Sequence, residues 1–391
     1  MMSERTPPPL IYLASPDVTL DTAQKLAQEQ QISAAILLGR RGYFLGWIGQ
    51  LTPPQPPTPD ALRAAWQRLE PILLVNVVQR EVAQQEGAIR ASLQLVERIL
   101  DGEECAAIFD EEPYVSRLLP RFELLAPSCD EADPQEIVTL DFDLIAEGEL
   151  VAEDLWVKIS WLSHDEEDLS LRFRCSYGIV GYEDVAANYT QQRYAAELTE
   201  ALFPESVIIS HQAALRELLG HLLGYQDVAY VERIIYFNAP HGGAQFHQDV
   251  ERGHAGVVFA QLYGRTVWLA LSKAQLVGEI QRFLAQPQAE AIYMKTHPSH
   301  TAWVELKNQA ASTVSLHAYL DAQENEPVEI LINQLPEFTQ QLIEHGHGYI
   351  LNPGDVLLLP QKNSDECAWH SVFCGDDYMG MGLSFAIRDR P

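Results

Sequence analysis

The sequence predicts an α+β protein of several parts. An α/β segment is expected over 1–128, a middle segment over 129–228 in which strands give way to helices, and a strand-rich segment over 229–391 interrupted by helices between 273 and 348. Three observations predict this. Apolar runs of strand length recur along the whole chain, other stretches repeat their apolar residues at helical spacing, and a polar, proline-containing stretch, Ala126–Glu136, separates two different patterns. With 391 residues, 47% of them hydrophobic, the chain has material for two or three cores and is not composed like a disordered one.

In the first segment the apolar runs Ile11–Ala14, Ala35–Leu38 and Ile72–Val75 read as strands alternating with helical patterns. The clearest helix is expected from Val82 to Leu100, where Ile89, Leu93, Leu95, Val96, Ile99 and Leu100 share helical spacing and Gly102 follows as a stop. Pro53–Pro59 carries five prolines, which excludes a helix or central strand and predicts an extended surface connector. No catalytic pattern is visible in this segment.

The middle segment offers strands at Ile137–Leu144, Leu155–Trp161 and Leu169–Cys175, then helices at Tyr189–Leu202 and His211–Leu223. The last segment reads as strands at Val231–Phe237, Gly256–Tyr263, Thr266–Leu271, Tyr349–Leu351, Val356–Leu359 and Met381–Ile387. Between them, helices are expected near Lys273–Leu284, Ala310–Asp321 and Leu335–His345. No internal repeat of fixed period is present.

Composition narrows the function classes. With 26 Lys and Arg against 55 Asp and Glu, the formal charge of −29 would repel a phosphate backbone, so nucleic acid is not an expected partner. No apolar run reaches the roughly 18 residues of a membrane span and no leader-like segment opens the chain, so a soluble protein without a membrane partner is expected. Cysteines 105, 129, 175, 367 and 374 form no C-x-x-C pair, which fits a reducing cytoplasm.

The chemistry concentrates in Tyr236–Asp249, YFNAPHGGAQFHQD. Residues i and i+2 of a strand point to one face, so His247 and Asp249 can converge on one ion. A third ligand is available downstream in LNPGDVLLLPQKNSDECAWHSVF, where Pro353–Asp355 turn, Val356–Leu359 form a buried strand, and His370 opens the next. Two imidazoles and a carboxylate on one face make the facial triad of non-haem Fe(II) oxygenases, which leaves coordination positions open. Thr266 and Trp268 share strand parity, so both are expected to face inward while Val267 and Leu269 face the other way, with Trp268 packing the core. His241 and His254 flank the motif as loop histidines, and His345 and His347 end a predicted helix, where positive charge complements the dipole. The His241–Gly243 HGG has no G-x-S-x-G partner anywhere, which argues against a serine hydrolase, and no phosphate-binding glycine loop is present.

The order of these features over about 229–388 resembles the JmjC and cupin-like branch of the Fe(II)/2-oxoglutarate oxygenases: H-x-D at His247 and Asp249, FAQLYGRTVWLAL from Phe259 to Leu271, the PGD turn, an apolar strand ending in Pro360, and WH at Trp369 and His370. The resemblance implies a double-stranded β-helix (jelly-roll, cupin) barrel with a helical insertion, Fe(II) held by His247, Asp249 and His370, and 2-oxoglutarate as cosubstrate. It further implies oxidative decarboxylation to succinate and CO₂ coupled to hydroxylation of a peptide or protein side chain, or of a small metabolite. Candidate cosubstrate residues are Asn238, Thr266, Lys273 and Ser384. Two departures stand out: Thr266 occupies the position where the family carries a basic residue for the distal carboxylate, and Ala244 replaces a small polar residue. Arg265, Lys273 and Arg388 are alternative sources of that charge. Related oxygenases often dimerise, so a homodimer is compatible. Two other readings stay open: a metal-dependent cupin-type enzyme that does not use 2-oxoglutarate, and a non-catalytic binding module.

Overall fold

In the computed structural model, which describes residues 10–32, 34–51, 58–164, 168–178, 188–225, 227–251 and 253–389, two antiparallel sheets stack face to face between layers of helices. The strands are β1 Leu10–Ala14, β2 Ile36–Arg40, β3 Tyr43–Gln50, β4 Ile72–Leu74, β5 Phe122–Leu124, β6 Glu136–Ala146, β7 Glu149–Trp161, β8 Leu171–Tyr177, β9 Val228–Asn238, β10 Gly256–Tyr263, β11 Thr266–Ser272, β12 Gly348–Leu351, β13 Val356–Pro360, β14 Ala368–Cys374 and β15 Gly380–Asp389. Nine of them form one sheet in the order β4-β13-β10-β15-β9-β8-β7-β6-β5, facing a three-stranded sheet β12-β11-β14. A second three-stranded sheet, β1-β3-β2, packs outside it.

Side-chain alternation explains the stacking. In β10, Val257 and Phe259 point between the two sheets while Val258, Ala260 and Leu262 pack outward; in β11, Trp268 and Ala270 point in while Val267 and Leu269 point out. Both faces are buried, so these strands read in sequence as continuous apolar runs rather than alternating ones. The outer face of the nine-stranded sheet is covered by helices Glu86–Leu100, Tyr189–Leu202 and Ala213–Leu223. The outer face of the smaller sheet is covered by the insertion and by β1–β3. The arrangement is jelly-roll-like. Two facing sheets, rather than the one closed sheet a barrel would require, are present among the described residues.

The three sequence segments share this core. β4, from the first segment, pairs with β13 at one edge of the large sheet, β5 ends the other edge, and one cluster of buried residues draws on all three segments. Several local expectations are corrected. β3 was not anticipated; the helix expected at Val82–Leu100 is two helices, Gln79–Gln84 and Glu86–Leu100; and His370 lies inside β14 rather than at its start. Of the proline-rich stretch, 53–57 lie outside the described residues, and Pro59 begins a helix, Pro59–Gln67, capped by the Thr58 hydroxyl. Proline fits there because the first helical N–H has no partner to lose. Among the described residues no helix is long and apolar enough to cross a membrane.

The insertion folds as six helices, beginning with Lys273–Leu284, whose start carries a reciprocal cap between Ser272 and Gln275. Helices Ala289–Thr296, His300–Ala310 and Glu326–Gln334 fall within the helical stretch expected between 273 and 348 but were not placed individually; the apolar residues of the first two repeat only weakly at helical spacing. His345 and His347 are more than helix-end charges. His345 Nδ1 lies 2.7 Å and His347 Nε2 3.6 Å from the buried carboxylate of Glu279, which also accepts from Gln341 at 2.7 Å. Burial alone would raise the Glu279 pKa, but hydrogen bonds from His347, His345, Arg282 and Gln341 outweigh it and bring it down to about 2. A depressed carboxylate stabilises the fold above its ordinary pKa and loses that contribution as pH falls, here through about 4.5 towards about 2. Thermal unfolding of Glu279→Gln and the parent is therefore expected to differ by about 2–3 kcal/mol at neutral pH, with the gap narrowing as pH falls below about 4.5 and closing only at about pH 2 and below. A gap of constant size across that window would show that the cluster does not supply it.

Candidate metal centre

The ligand-bearing segment is placed by a turn that only glycine can make. β9 ends at Asn238, Gly242 N donates to Ala239 O at 2.8 Å, and Gly243 follows with φ +131°. A side chain at Gly242 would collide with Ser170 and Asp168, and one at Gly243 with the carbonyl of Val372. The HGG motif is thus a close-approach turn that lets the backbone descend onto β14. From there residues 244–247 run antiparallel to β14: Ala244 N donates to Val372 O at 3.1 Å, and His247 and His370 exchange backbone hydrogen bonds of 3.0 and 2.9 Å.

Directly paired residues share a face, so the two imidazoles meet, with ring centroids 4.2 Å apart. Asp249, two residues beyond His247, places Oδ1 3.4 Å from His247 Nε2 and Oδ2 3.4 Å from His370 Nε2. Ligand atoms of all three residues lie within 4.8 Å of one another. His247 Nδ1 sits 2.7 Å from the carbonyl of Gln245. Nδ1–H donating there leaves the Nε2 lone pair for an ion.

Electrostatics match a cation site. Burial, reinforced by His247, pushes His370 down to about 3, so its imidazole is neutral. Burial opposes ionisation of Asp249, but the hydrogen bond and charge of His247 outweigh it and hold the carboxyl below its usual range. Burial likewise opposes protonation of His247, but Asp249 outweighs it and pushes that pKa up. An ion in the centre would replace that proton as the carboxylate's partner. Two imidazole nitrogens and one carboxylate oxygen fit a divalent iron, with open positions left over.

The triad lies on the wall of a cavity of about 310 Å³. Trp268 stacks on His370 at 5.2 Å and tilts against Phe259 at 4.7 Å, so it packs the core and also forms the cavity wall. Asn238 and Ser384 line the same cavity. Thr266 does not. It is fully buried behind Trp268, whose Nε1–H donates to Thr266 Oγ1 at 2.9 Å while the hydroxyl donates to Gln261 Oε1 at 2.7 Å.

Lys273 is a further correction: its ammonium is buried against Asp321 at 2.5 Å and the Ser364 carbonyl at 2.9 Å, and it does not reach the cavity. A buried ammonium needs such partners, so the charge is committed elsewhere. Arg265 pairs with Asp376, and Arg388 packs beside Gly253; neither lines the cavity. His241 sits at positive φ, edge-on to Phe44. His254, on the loop that follows the motif, is buried and lines a smaller adjoining cavity together with Glu232 and Glu251. Burial raises Glu232 to about 7 although Arg174 pairs with it.

Sequence reasoning missed Arg40 and Arg41, on the β2–β3 hairpin. Arg41 lines the cavity, with Nε 3.0 Å from Asp168 and Nη2 2.8 Å from the Gly243 carbonyl. Arg40 is 2% exposed. Its Nη1 donates to Ala244 O at 2.6 Å and to Ser371 Oγ, its Nη2 donates to Asn333 Oδ1 at 3.0 Å, and its guanidinium lies over Phe373. Arg172 and Tyr236 also line the cavity and were not anticipated. No motif signals these residues; the one hint for Arg172 and Arg174 is a pair of basic residues at strand parity, alternating with the apolar Leu171, Phe173 and Cys175.

No protein-family model and no curated protein matches the chain. Among solved structures, similarity is found to an oxidoreductase of the 2OG-Fe(II) oxygenase family from Burkholderia pseudomallei, at 9% identity over 86% of this chain and 93% of that one, with a TM-score of 0.30. A Pseudomonas putida prolyl-4-hydroxylase is similar at 10% identity over 85% of this chain and 100% of that one, with a TM-score of 0.28. E. coli ycfD is similar at 14% identity over 97% of this chain and 55% of that one, with a TM-score of 0.22.

Proposed function

We propose that the chain is an Fe(II)-dependent oxygenase that takes 2-oxoglutarate as cosubstrate and hydroxylates a peptide or protein side chain or a small metabolite. The observation that carries this reading is the convergence of His247, Asp249 and His370 on one point of a cavity wall. The order of motifs that resembles the JmjC and cupin-like oxygenases supports it. Bound iron would couple O₂ reduction to decarboxylation of the 2-oxoacid and hydroxylation of the substrate.

The chain's own residues prepare the centre. His370 is kept neutral by burial and braced by Trp268, His247 is oriented by the Gln245 carbonyl, and Asp249 brings the single negative charge. Val257, Phe259 and Leu359 line the cavity beside them with apolar surface. Enclosure of Thr266 behind Trp268 favours one second reading, a metal-dependent enzyme that does not use 2-oxoglutarate.

Anaerobic titration of the metal-free protein with Fe(II), then with 2-oxoglutarate, separates the readings. The expected result is a weak visible charge-transfer band that requires both additions. Fe(II) binding with no band on adding 2-oxoglutarate would favour the second reading, and no Fe(II) binding would sink both.

A further inference from the structure

A dicarboxylate such as 2-oxoglutarate brings two negative ends into a cavity where the metal centre can neutralise only one. An uncompensated buried carboxylate is costly, so the other end needs a cation within the cavity. Position 266 cannot supply it, because Thr266 has no charge and its hydroxyl is enclosed between Trp268 and Gln261. Among the cavity's described lining residues only Arg41 and Arg172 carry permanent positive charge. Arg41 is already neutralised by the buried carboxylate of Asp168 and turned towards the Gly243 carbonyl. Arg174, two residues along β8 from Arg172, is paired with Glu232.

Arg172 differs from both. Its Nε–H donates to a neutral partner, Ser160 Oγ, at 2.9 Å, and among the described residues it forms no ion pair with a carboxylate. Its register partner on β9 is Tyr236, and both line the cavity. Burial pushes the Tyr236 phenol well up, so it stays protonated and able to donate a hydrogen bond.

Resting on the 2-oxoglutarate reading above, we propose that Arg172, with the Tyr236 hydroxyl beside it, binds the distal carboxylate of the cosubstrate. The cation comes from β8, inside the large sheet beside β9, instead of from β11. A guanidinium fork suits the task, because it offers a carboxylate parallel donors in fixed geometry.

The test compares 2-oxoglutarate with 2-oxobutyrate, which has the same 2-oxoacid head and no second carboxylate. Binding of each to the Fe(II)-loaded protein is measured anaerobically by equilibrium dialysis for the parent, Arg172→Gln and Arg172→Lys. The parent is expected to prefer 2-oxoglutarate by about ten- to a hundredfold, the scale of a hydrogen-bonded charge pair. Arg172→Gln should lose that preference while binding 2-oxobutyrate as the parent does, a built-in check that fold and metal centre are intact. Arg172→Lys should keep part of the preference.

A preference that survives in Arg172→Gln, or a parent that binds both acids equally, would overturn the assignment. Should the Fe(II)-loaded parent bind neither acid, the 2-oxoglutarate reading itself fails.

Discussion

Asp249→Ala is expected to bind Fe(II) at least about a hundredfold more weakly than the parent and to lose turnover, while remaining folded. Losing a residue that merely orients a ligand typically costs ten- to a hundredfold in metal affinity, so losing one of three ligands, and the only anionic one, should cost more. The two histidines alone would leave the ion's charge balanced by no carboxylate. Stability without metal should change little, within about 1 kcal/mol, because the Asp249 side chain is 32% exposed and its partner His247 40% exposed. Anaerobic calorimetric titration with Fe(II), paired with a thermal melt of the metal-free protein, reads both quantities. An alanine variant that takes up Fe(II) as the parent does would remove Asp249 from the centre.

Arg40→Met should show that the metal centre depends on a residue about two hundred positions away in sequence. Unfolding is expected to become easier by about 2–4 kcal/mol, with Fe(II) affinity falling about tenfold. Arg40 ties together the Ala244 carbonyl on the segment carrying His247, Ser371 on the strand carrying His370, and Asn333 of the insertion. Burial, with Arg41 alongside, brings the Arg40 pKa down to about 9, which still leaves it charged at neutral pH.

A methionine fills much of the stem's volume but offers no donor. The loss stops short of three full orphaned acceptors, because Ala244 O also accepts from Val372 N at 2.8 Å and Asn333 Oδ1 from Phe246 N at 2.8 Å. Urea unfolding and Fe(II) titration of the metal-free variant test the two effects separately. If stability falls and Fe(II) affinity does not, Arg40 supports the fold without positioning His247.

The placement of the three candidate ligands was largely legible in the sequence. His247 and Asp249 stand two apart, which on extended backbone puts them on one face, and the structure has them there with His370 opposite. Parity also sorted Thr266 and Trp268 inward from Val267 and Leu269 outward. The helices Lys273–Leu284 and Tyr189–Leu202 were readable in full because each keeps one apolar face.

The rest was decided between strands distant in the chain. Thr266 points inward as expected, yet Trp268 and Gln261 use its hydroxyl, so inward does not mean into the cavity. Lys273 stands beside the right strand, but its ammonium found Asp321 and the Ser364 carbonyl at the base of the insertion. Arg40, Arg41 and Arg172 carry no motif, since a charged residue in a strand reads as solvated until the facing surface is known. By itself the sequence determined which residues share a face, because the periods of strand and helix are local properties of the backbone. Only the tertiary structure decided which charges enter the cavity, because a buried charge goes wherever partners from other elements can satisfy it.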